Sequence, residues 1–223
     1  MVYEEYIRVQ MPKFDPSLLP AEPDLSFEID LWEVGLSAVA GIDEAGRGAL
    51  AGPVYAAAVI LPAQRAMSEC LQGVRDSKQM TPIQREDARE KILRFAAAWG
   101  VGFATSDEID LMGILPATRL AAQRALEALT IRPTHILLDY IFLPEVPIPQ
   151  TALIKGDCRS LSIAAASILA KTYRDAIMRE LDLTYPGYGF ASHKGYGTLS
   201  HREALKRLGV CREHRLSFEL SVR

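Results

Sequence analysis

The chain has little cysteine and no long apolar run. Cys70, Cys158 and Cys211 are odd in number, widely spaced and without a Cys-x-x-Cys pair, which argues against a disulfide framework and fits a reducing compartment. No stretch reaches the roughly 18 uninterrupted apolar residues of a membrane span. Met1 to Tyr6 carries acidic residues where a secretory signal would be basic and then apolar, so a cytosolic protein is expected. A phosphate-binding Gly-x-x-x-x-Gly-Lys-Ser/Thr loop and a Gly-x-Ser-x-Gly nucleophile elbow are both missing. His193, His201 and His214 with Cys211 lack regular zinc-ligand spacing. Net charge is −3, so the chain as a whole does not advertise a polyanion binder. Locally the balance differs. Lys194, Arg202, Lys206, Arg207, Arg212 and Arg215 face only Glu203 and Glu213, which is either a phosphate-contacting patch or a solvated helix face.

What is present is core material. With 223 residues and 49% hydrophobic content, the chain can bury one full domain with a small appendage. Residues 1–24 hold four prolines without a sustained period and are expected to form a loose leader. The domain is expected over residues 25–198 and a helical appendage over 199–223. Strands are expected over residues 39–43, 54–61, 100–105, 134–139 and 151–155, the first three antiparallel. Thr81-Pro82-Ile83-Gln84 reads as a capping box opening a helix to about residue 98. Further helices are expected over 115–129 and 162–183, and a second capping box, Ser200 with Glu203, over 200–208. Strands alternating with helices in the second half imply an α/β fold with parallel pairing there.

The most informative stretch is Ala40 to Pro53, where Asp43 and Glu44 end an apolar run and enter Gly46-Arg47-Gly48. A buried carboxylate is costly unless paired or bound to a metal. Adjacent strand residues point to opposite faces, so the pair can share one site only if the chain bends or one residue uses its carbonyl. Asp139 ends another buried run, where open α/β sheets place their ligands, and Asp157 follows the next in a Lys-Gly-Asp turn. Four carboxylates at strand ends repel one another, and a hard oxygen-seeking cation such as Mg²⁺ or Mn²⁺ resolves this. Asp175, well along a helix from Asp157, is expected to be structural and to pair with Lys171.

The motifs continue in order through Asp76-Ser77-Lys78, Ile136 to Asp139, Lys155-Gly156-Asp157, Ser162 to Lys171, His193 to Tyr196 and His214 to Phe218. Together, over about residues 27–218, they resemble the type 2 ribonucleases H, the ribonuclease HII family. The resemblance implies a ribonuclease H-like mixed sheet flanked by helices, and a monomeric endonuclease acting on RNA–DNA hybrids and on duplex DNA containing ribonucleotides. It implies two Mg²⁺ or Mn²⁺ ions on Asp43, Glu44, Asp139 and Asp157, with Asp43 shared between them. It assigns sensing of the ribose 2′-hydroxyl to Gly46, Arg47 and Gly48, deoxyribose packing to Tyr196, and phosphate contacts to Lys78 and Lys194. The chain departs from the family at Ala49, where a proline is common, and at Tyr140, where a small residue is common. Two other classes fit fewer of these features. A carboxylate-metal junction resolvase would not require a ribose, and a non-catalytic hybrid binder would gain nothing from clustered acids.

Overall fold

The computed structural model describes residue 15 and residues 19–220, so most of the expected leader lies outside the described residues. The order is α1 (Ser26–Glu33), β1 (Val39–Ala45), β2 (Val54–Ile60), α2 (Met67–Cys70), α3 (Pro82–Phe95), β3 (Ala98–Ala104), α4 (Ser106–Met112), α5 (Ile114–Glu127), β4 (His135–Asp139), β5 (Gln150–Leu153), α6 (Leu161–Thr184), α7 (Phe190–His193) and α8 (Leu199–Leu208). Single 3-10 turns occupy Ser77–Gln79 and Gly156–Cys158. The strands form one five-stranded sheet in the order β3-β2-β1-β4-β5. β1 pairs antiparallel with β2, and β2 with β3, whereas β4 runs parallel to β1 and to β5. This is the expected mixed sheet.

Small residues bring the helices close to it. Alternate residues of β2 divide between two cores, Ala56 and Ala58 meeting Ala117, Ala121 and Ala125 of α5, while Ala57 and Val59 meet the alanines of α6. A Cβ at Gly41 would strike the backbone of Ser162, so the start of α6 rests directly on β1. That contact sets α6 beside the strand carrying Asp43.

The start of α6 is also held from α1. Buried Glu28 accepts hydrogen bonds from Ser160 Oγ at 2.6 Å, Ser162 Oγ at 2.5 Å and Ser162 N at 2.9 Å. Burial pushes its carboxyl above the usual range, and these donors offset part of the rise. The segment just after Asp157 is thereby fixed by a helix that the sequence reading did not assign. The Thr81 capping box is present, but α3 ends at Phe95. The Ser200 capping box is not. α8 starts at Leu199, so Thr198 takes the cap position, accepting from His201 N at 3.3 Å, and Ser200 falls in the first turn.

Candidate active site

β1 does not bend between its two acids: Asp43 pairs with Ala57, Glu44 with Ala56 and Ala45 with Tyr55 in unbroken register. Asp43 therefore faces α6 and Glu44 the opposite side. Both nevertheless line one cleft of about 640 Å³, together with Asp139. The reason is the parallel neighbour. Ile42 pairs with Leu138, which sets Asp139, the last residue of β4, alongside Asp43. Glu44 lies beyond the end of β4, free to border the same space.

The acids are electrostatically crowded. Burial raises the Asp43 carboxyl well above its usual range, and Glu44, Asp139 and Asp157 add to the rise; a hydrogen bond from Ser167 opposes it. Burial likewise raises Glu44, against the pull of Arg47, whose Nη1 donates to Glu44 Oε1 at 3.2 Å. Asp139 is raised by burial despite the Gly156 N–H donated to its Oδ1 at 2.8 Å. Asp157 is 4% exposed, outside the cleft lining, and its Oδ2 accepts from Lys78 Nζ at 3.2 Å. Partial burial disfavours the Lys78 ammonium, but Asp157 and Asp43 outweigh that and hold it charged. Ligand atoms of Asp157, Asp76 and Cys158 also lie within 4.8 Å of one another.

Several lining residues were not singled out from the sequence as part of the site. Ser77 Oγ lies 3.0 Å from Ser167 Oγ, linking the Asp76–Lys78 segment to the helix beneath Asp43. Arg85 and Lys171 also line the cleft. Lys171 Nζ donates to Asp175 Oδ1 at 2.7 Å, as expected for that pair, and Arg85 lies 4.0 Å from Asp175 Oδ2. Ser77, Ser167 and Lys171 sat within the quoted motifs, but their convergence has no signature in spacing.

The glycine loop is shaped by two buried arginines. Arg174 Nε donates to Pro53 O at 2.9 Å, and a Cβ at Gly46 would collide with that guanidinium. Arg215 donates through Nε and Nη2 to Gly52 O at 2.9 and 2.7 Å and through Nη1 to Arg47 O at 2.9 Å. Ala49 forms a bridge with Tyr196, a cleft-lining residue that is 38% exposed and whose ring centre lies 5.5 Å from the Arg174 guanidinium carbon. Ala49 also donates its N–H to Gly46 O at 3.3 Å, a bond that a proline could not make.

Other candidates lie elsewhere. The structure does not bring Lys194 into the cleft, since its Nζ donates to Ala191 O and its own carbonyl accepts from Arg174. Part of the basic excess near the C-terminus is structural: Arg215 is buried, Arg207 bonds Gly187 O and Arg212 meets Asp107. His201 Nε2 and His214 Nε2 lie 3.1 Å apart, and Cys211 Sγ lies 3.2 Å from His214 Nδ1. Those ring nitrogens serve one another, Cys211 and the backbone.

Residues 40–221 match the family model described as Ribonuclease HII. The chain belongs to the ribonuclease HII family. Ribonuclease HII of Synechococcus sp. (strain JA-3-3Ab) is 55% identical over 197 residues, 88% of each chain. Ribonuclease H2 from Pyrococcus horikoshii OT3 superposes with a TM-score of 0.67 at 28% identity, covering 82% of this chain and 94% of that one. Bst ribonuclease HIII, solved with Mn²⁺, shares the fold at a TM-score of 0.62 and 16% identity over 85% of this chain and 70% of that one. Against the ribonuclease HII background, the donor set fits hard divalent cations. Asp43, Glu44 and Asp139 offer only oxygen to the cleft, and burial with mutual repulsion favours any added positive charge.

Proposed function

We propose that this ribonuclease HII hydrolyses the RNA strand of RNA–DNA hybrids and incises duplex DNA on the 5′ side of embedded ribonucleotides, leaving 3′-hydroxyl and 5′-phosphate ends. The observation that carries this reading is that one cleft holds Asp43, Glu44 and Asp139 beside the Gly46-Arg47-Gly48 backbone and the Tyr196 ring. Asp43, Glu44, Asp139 and Asp157 would hold two divalent cations, Mg²⁺ or Mn²⁺. When bound, such ions supply an activated water and stabilise the leaving 3′-oxygen of an in-line displacement.

The chain's own residues do the rest. Arg174 and Arg215 hold the glycine loop in place before substrate arrives, so its backbone meets a ribose 2′-hydroxyl without reorganising. Tyr196, on the same rim, packs against the neighbouring deoxyribose and rejects a hydroxyl there. Lys78 balances the charge of Asp157 and, at the mouth of the cleft, meets phosphate, and Lys194 supports backbone contacts farther out. Reading sugar and backbone leaves base identity of little weight. We further read the protein as a cytosolic monomer with three free cysteines, and its organisation as a leader (1–24), a catalytic domain (25–198) and a C-terminal appendage (199–223). Among the described residues, no helix is long and apolar enough to cross a membrane.

The test is incubation with Mg²⁺ or Mn²⁺ of two duplexes, one all DNA and one carrying a single ribonucleotide. Incision of the second alone is expected. Equal cleavage of both would replace this reading with a nuclease indifferent to ribose.

A further inference from the structure

Tyr140 immediately follows Asp139 and adopts φ of 65°, a left-handed backbone that L side chains rarely take and that glycine takes freely. That conformation falls where the chain changes face. Regular alternation would send residue 141 to the α6 face with Asp139, but Ile141 is buried on the α5 side with Ile136 and Leu138. A left-handed residue at 140 makes the reversal, with Tyr140 N donating to Leu153 O at 3.1 Å and Ile141 N to Asp139 O at 2.7 Å. The backbone thus asks for glycine, and the chain supplies a large aromatic.

Core packing does not explain the choice. The Tyr140 residue is 66% exposed, and its ring stacks on no other described ring or cation. Two residues on, Phe142 is 51% exposed while Ile141 and Leu143 are buried, so two aromatics stand outward at the end of β4. The conformation itself serves the reversal that buries Ile141, but an aromatic where glycine would carry it without strain leaves an exposed side chain as that choice's only product, which points to a ligand for the ring.

We propose that Tyr140 is a substrate-positioning residue, its ring face packing against a sugar of the duplex strand that lies across the sheet end. This rests on the ribonuclease reading above. The contact suits its place, because a neutral ring beside a charged metal site adds affinity that salt does not screen.

The experiment compares wild type, Tyr140→Gly and Tyr140→Phe with a duplex bearing one ribonucleotide. It measures Kd in Ca²⁺ over a range of salt, Tm, and incision in Mg²⁺. Tyr140→Gly is expected to bind roughly tenfold more weakly, the order of removing one side chain's apolar face from water. Its slope of log Kd against log salt stays parallel to wild type, because no phosphate contact is lost. Its Tm is equal or higher, since the strain is relieved, and Tyr140→Phe binds like wild type. An unchanged Kd, a lowered Tm, a shallower salt slope, or an equal loss in Tyr140→Phe each overturns the proposal. Failure of wild type to incise this duplex would instead overturn the ribonuclease reading, and this inference with it.

Discussion

Asp43→Asn removes one charge from the most crowded point of the site while nearly preserving side-chain volume. Asp43 and Asp139 sit on adjacent parallel strands, roughly 4.8 Å apart in the sheet. At an effective dielectric near 20, two charges at that spacing repel by about 3 kcal/mol. The Lys78 ammonium offsets part of this, so about 1–3 kcal/mol is released in metal-free protein by the same electrostatics. A chain of this size gains roughly 2–4 °C in Tm per kcal/mol. The sign depends on pH. The folded Asp43 carboxyl lies well above its unfolded value of 3.8, so the native state is favoured below that value and loses stability as pH rises through the folded one. The variant should therefore match wild type near pH 4 and exceed it most near pH 8, provided metal is absent. Added Mg²⁺ reverses the order, because Asn is a poorer ligand, and turnover on an embedded ribonucleotide falls about 10³-fold or more, the equivalent of several kcal/mol of lost metal assistance. The assays are thermal melts in EDTA and in Mg²⁺ at both pH values, with turnover at matched metal. Wild-type turnover, or a lower metal-free Tm at pH 8, would refute the reasoning.

Asp175→Asn breaks a mostly buried ion pair with Lys171, so we expect a loss of about 1.5–3 kcal/mol in stability, with activity reduced far less than by Asp157→Asn; equal catalytic losses would place Asp175 in the chemistry. Glu28→Ala leaves the Ser160 and Ser162 hydroxyls without their shared acceptor and opens a void, so chemical denaturation should show a loss of about 2–4 kcal/mol, while Glu28→Gln retains most of the stability. Tyr196→Ala should change the cleavage ratio of a single embedded ribonucleotide to a continuous hybrid more than it changes duplex Kd. An unchanged ratio would reduce Tyr196 to a packing residue.

Much of this molecule was legible one residue at a time. The five strands were recognisable because buried strands in an α/β fold are short apolar runs bounded by polar turns, and the Thr81 cap because its hydrogen bonds are local. Asp43 and Glu44 stood out because adjacent carboxylates following an apolar run serve no folding purpose, whereas Asp139 and Asp157, each readable alone as a turn or helix-start residue, stood out through the family resemblance. Local signals failed where two caps competed: Thr198 and Ser200 are both good caps, and the helix uses the earlier one. α1 was missed because its role, burial of Glu28 against the start of α6, is a contact between residues 132 and 134 positions apart.

The sequence by itself determined the fold class and the order of the strands along the chain and marked Asp43 and Glu44, since these depend on composition, period and neighbours a few residues away. Only the tertiary structure decided how Asp43 and Glu44 share a cleft without a bend, because that follows from where parallel β4 stops. It likewise decided that Arg174 and Arg215 shape the glycine loop and that Tyr140 stands strained and exposed beside Asp139. Each of these is a relation between distant segments, set by strand register and helix packing.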